Sequence, residues 1–156
     1  MTQTDAKTSP GANIVLAVRL GEALHAIPIT AVEEVLPALP IEAIPQCPEF
    51  VRGVVFVRGH LIPVLDAAER FGIKDHRRPP EPHIICLRIG DRLVGVEFDE
   101  AVDLMELNEV DSLSVEDMGT ERGFLSGVFE RDGQVVRLLA PEFLMAADEL
   151  ERLSNL

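Results

Sequence analysis

Short apolar runs alternate along the chain with glycine, proline and charged pairs. The runs at 14–20 and 23–27 flank Gly21-Glu22, and this spacing predicts a β-hairpin. Residues 51–66 hold two more apolar runs hinged at Arg58-Gly59, which predicts a second hairpin. The segment between them contains prolines spaced too closely for a helix or a central strand: Pro37, Pro40, Pro45 and Pro48. The pattern predicts an all-β fold, mainly strands with one or two helices.

Three segments lack this strand pattern. Residues 1–12 are polar and are predicted to form a flexible tail, and the proline-rich residues 74–82 are predicted to form a connector. Near the C-terminus, Pro141 stands at a helix-start position, and apolar residues follow at helical spacing: Phe143, Leu144, Ala147, Leu150 and Leu153. We therefore expect a folded unit over 13–156 with a C-terminal helix over about 141–153.

The second half of the chain repeats the first. The sequence IVLAVRLGEALHAIPI aligns with IICLRIGDRLVGVEF, and FVRGVVFVRGHLIPVL aligns without gaps with FLSGVFERDGQVVRLL. Chance matching in β-rich sequence is the alternative, but two matched segments in the same order favour duplication. A unit of several short strands buries too little surface alone. We therefore expect two small barrels, one from each half, that are joined near 74–82 and pack together.

The composition predicts a folded protein that binds neither nucleic acid nor membranes. Apolar residues make up 47% of the 156 residues, without Trp or Tyr, so an aliphatic core is expected. The formal charge of −13 disfavours contact with a phosphate backbone or an anionic lipid surface. Cys47 and Cys86 lack metal-ligand spacing, so buried, reduced thiols are expected rather than a disulfide. A soluble cytoplasmic protein is predicted, because no apolar run suits a membrane span or signal peptide.

Motifs for catalysis or cofactor binding are missing from the sequence. It has no glycine-rich phosphate loop, and Ser126 lies outside a GxSxG pattern. The four histidines show no metal-ligand spacing, and His25 and His60 are expected to be packed or to lie at a rim. Ten carboxylates from Asp91 to Asp117 are interpreted as a solvated acidic rim, with acid/base work or cation binding as the alternative. A non-enzymatic protein without cofactor or metal is predicted, and a small-ligand- or metal-binding β-barrel is the competing class.

Two segments are candidates for partner binding. Arg58 aligns with Asp132, and Asp-Gly is typical of a two-residue hairpin turn, so Arg58-Gly59 is expected to form one. An arginine near Phe56, at a turn position that favours Asn or Asp, is typical of an interface. An ordinary solvated arginine is the alternative. The strip Val32-Glu33-Glu34-Val35 is either partner-facing or a plain strand with alternating exposure.

These residues resemble the CheW-type coupling proteins of bacterial chemotaxis. The similarity runs over about residues 13–146, through HAIPITAVEEVL, FVRGVVFVRGHLIPVLD, LVGVEFDEAVDL and FLSGVFERDGQVVRLL, and its most specific part is RGHLIPVLD. The resemblance implies two intertwined five-stranded SH3-like β-barrels. It also implies a non-enzymatic adaptor that binds the regulatory domain of a chemotaxis histidine kinase and the cytoplasmic tip of chemoreceptors. Such an adaptor is recruited to membrane-associated arrays without touching lipid.

Carried over by position, the resemblance assigns site residues. It implies receptor binding by Arg58, Val32, Glu34 and Phe56, and kinase binding or structural coupling by Gly53 and Gly59. The chain departs from the family pattern at Phe56, where an Asn is usual, near His25, where an aromatic residue is missing, and at Glu97, where an apolar residue is usual. These departures leave open a specialised paralogue that serves twitching motility or development.

Overall fold

The computed structural model describes residues 13–116 and 118–154, so the tail predicted for residues 1–12 lies outside the described part. The strands and helices of this part are, in chain order, β1 (Ile14–Leu20), β2 (Ala23–Pro28), β3 (Val32–Leu36), β4 (Val51–Val57), β5 (His60–Asp66), α1 (Ala67–Phe71), β6 (His83–Ile89), β7 (Arg92–Phe98), β8 (Glu100–Glu106), β9 (Ser112–Leu113), β10 (Leu125–Arg131), β11 (Gln134–Leu139) and α2 (Ala147–Ser154). The predicted β-rich class is confirmed.

The strands form two sheets that share one plan. The six-stranded sheet has the order β8-β1-β2-β11-β10-β9, and the five-stranded sheet has the order β3-β6-β7-β5-β4. In each sheet the pairs are antiparallel except for one parallel pair, β11 with β2 and β5 with β7. The hairpins β1–β2 and β4–β5 form where the apolar pattern predicts them.

The strand orders show the internal duplication directly. The hairpins β1–β2 and β6–β7 align in sequence, as do β4–β5 and β10–β11, and each takes the equivalent place in its sheet. Main-chain bonds repeat as well. The N–H of Asp66 donates to the carbonyl of Phe50 (2.7 Å), and the N–H of Ala140 donates to the carbonyl of Phe124 (2.9 Å). The duplication therefore extends from the sequence to individual hydrogen bonds.

The expectation that each half of the chain forms its own barrel is wrong. Each sheet joins the first hairpin of one half to the second hairpin of the other half through its parallel pair. A two-stranded hairpin is only marginally stable alone. The exchange pairs the exposed edge of each hairpin with a strand from the other half of the chain. The two lobes are therefore intertwined, as the family resemblance implies, and are not separated at residues 74–82.

The largest buried cluster contains residues from both sheets and is mainly aliphatic. His25 lies within it, fully buried on β2, with its ring stacked 5.2 Å from that of Phe71. Its Nε2 lies 2.6 Å from a carboxylate oxygen of Glu121, and the same oxygen lies 3.7 Å from Nε of Arg137. Arg137 is the register partner of His25 in the parallel β2–β11 pair. This histidine is packed, as expected, and its polar contacts join the two halves of the chain.

Helix α1 is an element that the apolar pattern did not reveal. The Asp66 side chain caps it by accepting a hydrogen bond from the N–H of Glu69 (3.2 Å), and Gly72 ends it at a φ of 74°. A capping residue followed three positions later by Glu is a known helix-start signal, so the sequence did carry a cue. From this helix, Arg70 donates to the carbonyl of Leu144 (2.7 Å) and pairs with Glu149 (2.9 Å).

The C-terminal helix begins later than the expected start at Pro141. Residues Pro141–Phe143 form a 3₁₀ turn, and α2 begins only at Ala147. Between them, Leu144 and Met145 are buried in the core. The contacts of Arg70 with Leu144 and Glu149 hold this segment against α1. The helical spacing of the apolar residues was correct, but tertiary contacts interrupt the helix at its first turn.

Two carboxylates of the expected acidic rim are buried, and they anchor the connector. Glu97 is 6% exposed and Asp99 is 8% exposed, so the solvated-rim interpretation is wrong for both. His76 Nε2 lies 2.7 Å from Asp99, and Arg78 pairs with Glu97 (2.9 Å) and also with Asp66. Residues 74–82 are therefore held to the body of the protein by ionic contacts.

We expect the stability of the protein to depend on the ionisation of Glu97. Burial raises the pKa of this carboxyl above its usual value of 4.5, against the opposing effect of Arg52 and Arg78. A carboxyl with a raised pKa in the folded state adds stability below pH 4.5, and that contribution is lost as the pH rises through the raised pKa. The free energy of unfolding of the wild type, minus that of Glu97→Gln, should therefore fall as the pH rises. A difference that stays constant or increases with pH would contradict this cause.

Candidate protein-binding site

The β4–β5 hairpin ends in the predicted two-residue turn. Arg58 and Gly59 have φ angles of 49° and 83°, and their counterparts Asp132 and Gly133 have 52° and 79°. Two successive positive φ angles define the turn type that fits the twist of a hairpin. A long cationic side chain therefore occupies a left-handed position where Asn or Asp is easier to accommodate, and it is 71% exposed.

Arg58 and Glu34 form a two-pronged ion pair. The Nη1 and Nη2 atoms of Arg58 donate to the two carboxylate oxygens of Glu34 at 2.5 and 2.6 Å. Glu34 lies on β3, which is one edge of the five-stranded sheet, and β4 is the other edge. The pair therefore connects the hairpin tip to the opposite edge strand. In the six-stranded sheet, Arg131 makes a comparable connection by donating to the carbonyl of Glu106 on β8.

The ion pair also shifts the pKa values of its members. Its hydrogen bonds hold the pKa of Glu34 below the usual value and raise the pKa of Arg58. The neighbouring Glu33 pairs with Arg88 on β6 (2.8 Å). The strand β3 thus carries two neighbouring glutamates that each pair with an arginine. The Arg58–Glu34 pair is bidentate, and this geometry fixes the orientation of the guanidinium.

Cys86 lies opposite Glu34 in the β3–β6 register and is 2% exposed. Burial raises the pKa of its thiol to about 11, and the Glu34 charge adds to this effect. Cys47 is only half-buried, and no disulfide is formed, so the expectation of buried, reduced thiols holds fully for Cys86 alone.

We expect only one of the two thiols to react with Ellman's reagent in the native protein at pH 8. Cys47 is accessible, whereas Cys86 is buried and protonated, and the thiolate is the reactive form. The absorbance of the thiolate released from the reagent should therefore rise quickly by one equivalent per protein chain. The second equivalent should appear only in denaturant. Cys47→Ser should remove the rapid phase, and a rapid phase that persists in this variant would contradict the assignment.

The face of the hairpin beside Arg58 is apolar and open to solvent. Phe56 is 70% exposed, and its register partner Leu61 is 61% exposed. Directly opposite side chains on an antiparallel pair share one face of the sheet, so the two form a single apolar patch. An exposed aromatic side chain next to a fixed arginine is typical of protein interfaces, in which aromatic residues and arginine are enriched.

Gly53 and Val32 both pack against other parts of the protein. A Cβ atom on Gly53 would lie 2.1 Å from the carbonyl oxygen of Glu42, which bonds to Val54 at this point. Val32 lies on β3 with its side chain partly buried against the main core. Gly59 sits at the exposed turn, where an added Cβ would meet no atom within 4 Å, so only its φ angle requires glycine.

Of the residues implied by the resemblance, the structure thus brings four together: Arg58 and Glu34 in contact, with Gly59 and Phe56 on the same hairpin end. Val32 is nearby on β3 but half-buried, and Gly53 lies towards the other end of β4. Leu61 completes the apolar patch around Phe56, and it was not among the residues identified from the sequence. The sequence did carry a signal for it, because a two-residue turn at Arg58-Gly59 places Leu61 opposite Phe56.

The histidines of the described residues have separate surroundings. His76 pairs with Asp99, His83 Nδ1 accepts the N–H of Ala101 (2.8 Å), and His60 is exposed at the start of β5. Within residues 13–116 and 118–154, no three or more His, Cys, Asp and Glu side chains are grouped so that they could hold a metal ion. In the same part of the chain, every helix is too short or too polar to span a bilayer.

Comparison with known families decides the identity of this two-barrel fold. The family model described as the CheW-like domain matches residues 15–149. The chain belongs to the CheW-like family. Its exchanged hairpins and the exposed arginine of the RGHLIPVLD motif are therefore features of a CheW-like protein, and the resemblance drawn from the sequence is confirmed.

Relatives support this assignment over nearly the whole chain. The chemotaxis protein CheW of Rhizobium meliloti (strain 1021) is 27% identical over 153 residues, which cover 97% of this chain and 99% of that protein. The crystal structure of the scaffolding protein CheW from Thermoanaerobacter tengcongensis has a TM-score of 0.79 at 26% identity and covers 88% of this chain and 90% of that one. The chemotaxis protein CheA of Bacillus subtilis (strain 168) is 33% identical over 94 residues, 60% of this chain and 14% of that protein.

The function expected from the resemblance is confirmed with the family. This CheW-like protein is an adaptor that couples chemoreceptors to a chemotaxis histidine kinase. The solved structure that resembles this chain is likewise that of a scaffolding protein.

Proposed function

We propose that the end of the β4–β5 hairpin is the receptor-binding surface of this adaptor. Arg58 is the polar anchor, Phe56 is its apolar neighbour, and Glu34 holds the guanidinium in place. Val32 supports β3 from the partly buried side. Gly53 and Gly59 contribute through the backbone, by close packing against Glu42 and by the shape of the turn.

The observation that carries this proposal is the state of Arg58. Its side chain is 71% exposed, yet both terminal nitrogens are fixed by Glu34. An exposed arginine normally loses rotamer freedom when it binds a partner, and this cost is reduced when the side chain is already held in one geometry. The remaining donors of the guanidinium can bond to carbonyl or carboxylate groups of a receptor helix.

Kinase binding is proposed to use a surface other than this hairpin end. A segment of CheA from Bacillus subtilis (strain 168) is similar in sequence to this chain, which indicates a related barrel fold. Two related folds can bind each other through equivalent faces. The protein is proposed to act without chemistry of its own, in the cytoplasm, and to reach receptor arrays through its partners. Its charge of −13 supports recruitment by protein contacts rather than by anionic lipid.

Calorimetric titrations against two partners from the same genome test this assignment. We expect saturable binding to the regulatory domain of the chemotaxis kinase and to the cytoplasmic hairpin of a chemoreceptor. Arg58→Ala should weaken receptor binding about tenfold or more, as for a truncated hot-spot arginine, and leave kinase binding unchanged. The control is Arg19→Ala, which breaks an exposed ion pair with Glu100 on the six-stranded sheet. Unchanged receptor binding in Arg58→Ala would refute the assigned role.

A further inference from the structure

The base of the β4–β5 hairpin is held by a buried network of charged side chains. Glu97 on β7 is 6% exposed, and one of its carboxylate oxygens lies 2.9 Å from Nη1 of Arg52 on β4 and 2.9 Å from Nε of Arg78 in the connector. Arg78 also pairs with Asp66 at the end of β5. Asp66 and Glu97 are register partners in the parallel β5–β7 pair, so Arg78 contacts two neighbouring carboxylates. One network thus connects β4, β5 and β7 at the same end of the hairpin.

The other end of the hairpin carries Arg58 and is less closely joined to β7. The parallel register of β5 with β7 runs over residues 64–66. Residues 60–63 and 91–94 instead line a cavity of about 340 Å³. At the tip, the bidentate pair of Arg58 with Glu34 on β3 forms in only one relative orientation of the two side chains. The direction in which the hairpin leaves its base therefore decides whether this pair forms.

The equivalent place in the other sheet does not have these charges. The internal alignment puts uncharged residues at the positions that correspond to Arg52, Asp66 and Glu97: Ser126, Ala140 and Pro28. The hairpins β4–β5 and β10–β11 share a register shift near their bases, and in β4 it falls at Arg52. Such irregularities redirect side chains. The network therefore belongs to the hairpin that carries Arg58, and the arrangement of strands shared by the two sheets does not require it.

Stability does not account for the network around Glu97. Taking charges out of water costs free energy that their mutual attraction only partly returns. Burial raises the pKa of Glu97 while Arg52 and Arg78 oppose this effect, so the surroundings on balance disfavour the charged carboxylate. Buried ionic contacts that add little stability can still fix one geometry, because each group must keep its partner. These contacts hold β4 and β5 in one position relative to β7.

We propose that Glu97 is a positioning residue for receptor binding. Through Arg52 and Arg78 it sets the direction of the β4–β5 hairpin. The hairpin then presents Arg58 where the pair with Glu34 can form. The inference rests on the proposed receptor-binding role of Arg58, and it adds a buried residue that acts on this anchor from the far end of the hairpin.

Calorimetric titration with the cytoplasmic hairpin of a chemoreceptor from the same genome tests this role. Glu97→Gln keeps the size of the side chain and removes its charge. We expect receptor affinity to fall about fivefold, the cost of ordering one arginine side chain on binding, and affinity for the kinase regulatory domain to stay unchanged. The loss should be smaller than in Arg58→Ala, because the guanidinium remains. If Glu97→Gln does not fold, Arg52→Gln replaces it, because Arg52 is partly exposed and its loss removes the same contact.

The matched control is Asp99→Asn. Asp99 is 8% exposed and contacts the same connector through His76. Its side chain otherwise accepts the N–H of Gly21 (2.8 Å) and lies 3.8 Å from Arg19, so it contacts the β1–β2 hairpin instead of β4–β5. We expect Asp99→Asn to bind the receptor as the wild type does, even if its free energy of unfolding is lower. A loss of receptor affinity equal to that in Glu97→Gln would reveal a general effect of the connector and overturn the positioning role.

A second readout uses the free protein. NMR order parameters of the Arg58 side-chain N–H groups, assigned with Arg58→Lys, report whether the guanidinium is held. We expect high values in the wild type and in Asp99→Asn, and low values in Glu97→Gln. Unchanged values in Glu97→Gln would overturn the positioning role.

The outcomes separate this inference from the proposal beneath it. If Arg58→Ala weakens receptor binding and Glu97→Gln does not, the positioning role is overturned and the anchor stands. If Arg58→Ala leaves receptor binding unchanged, the anchor fails, and positioning for receptor binding fails with it. A fall in both variants, together with a mobile Arg58 in Glu97→Gln, supports both.

Discussion

Replacing Gly53 with Ala is expected to lower the free energy of unfolding by about 3 kcal/mol or more. The added Cβ would lie 2.1 Å from the carbonyl oxygen and 2.7 Å from the carbonyl carbon of Glu42. Both atoms are backbone and cannot move aside as a side chain would. The φ of 146° adds strain for any residue with a Cβ. Equilibrium unfolding in urea, followed by circular dichroism, measures the effect.

The duplicate position supplies the control for this prediction. Gly127 aligns with Gly53, but a Cβ there would approach only the Phe129 ring, at 2.9 Å, and its φ is not in the left-handed range. A ring at the end of a side chain can move, so Gly127→Ala should cost clearly less. Equal losses in the two variants would show that the contact with Glu42 is not the cause.

Reversing the charge at position 58 is expected to weaken receptor binding about 30-fold or more. Arg58→Glu removes the proposed anchor and places a second carboxylate beside Glu34. Glu34→Arg alone should weaken binding less, because the anchor stays but is no longer held. Titration calorimetry with the receptor hairpin compares the two variants with the wild type.

The double variant Arg58→Glu/Glu34→Arg separates the anchor from the ion pair. It restores an arginine–glutamate pair between the turn and β3, so the stability lost in the single variants should return. Receptor affinity should remain low, because the cation no longer stands at the exposed turn. Recovery of receptor binding in the double variant would show that the pair matters and that the position of the guanidinium does not.

Sequence reasoning singled out Arg58, the proposed anchor, because the signals of its turn are local. The turn at Arg58-Gly59 follows from apolar runs on both sides and from its alignment with Asp132-Gly133. Turn chemistry depends on neighbouring residues, so it can be read from one stretch of chain. The start of α1 also has a local signal, because the capping residue Asp66 is followed three positions later by Glu69. The helix was not predicted, although this signal is present in the sequence.

The surface around the anchor could not be derived in the same way. The Arg58–Glu34 pair connects opposite edges of a sheet, and its geometry depends on how the sheet curves. Glu97 and Asp99 lie in an acidic stretch of sequence that is typical of a solvent-exposed surface. In the structure, Arg78 and His76 of the connector pair with them. Their burial follows from pairing between distant segments, which charge patterning within one segment does not reveal.

The sequence by itself determined the strands, the hairpin turn, the duplication and the family, because each depends on periodicity, turn chemistry or a motif within a short stretch. Only the tertiary structure decided which hairpins share a sheet, where α2 begins and which side chains meet at the proposed binding surface. The physical reason is that these outcomes depend on contacts between residues far apart in the chain. In a duplicated chain, the edge strand of a hairpin can pair with a strand of the same half or with the equivalent strand of the other half. Only the packing of the whole fold selects pairing between the halves.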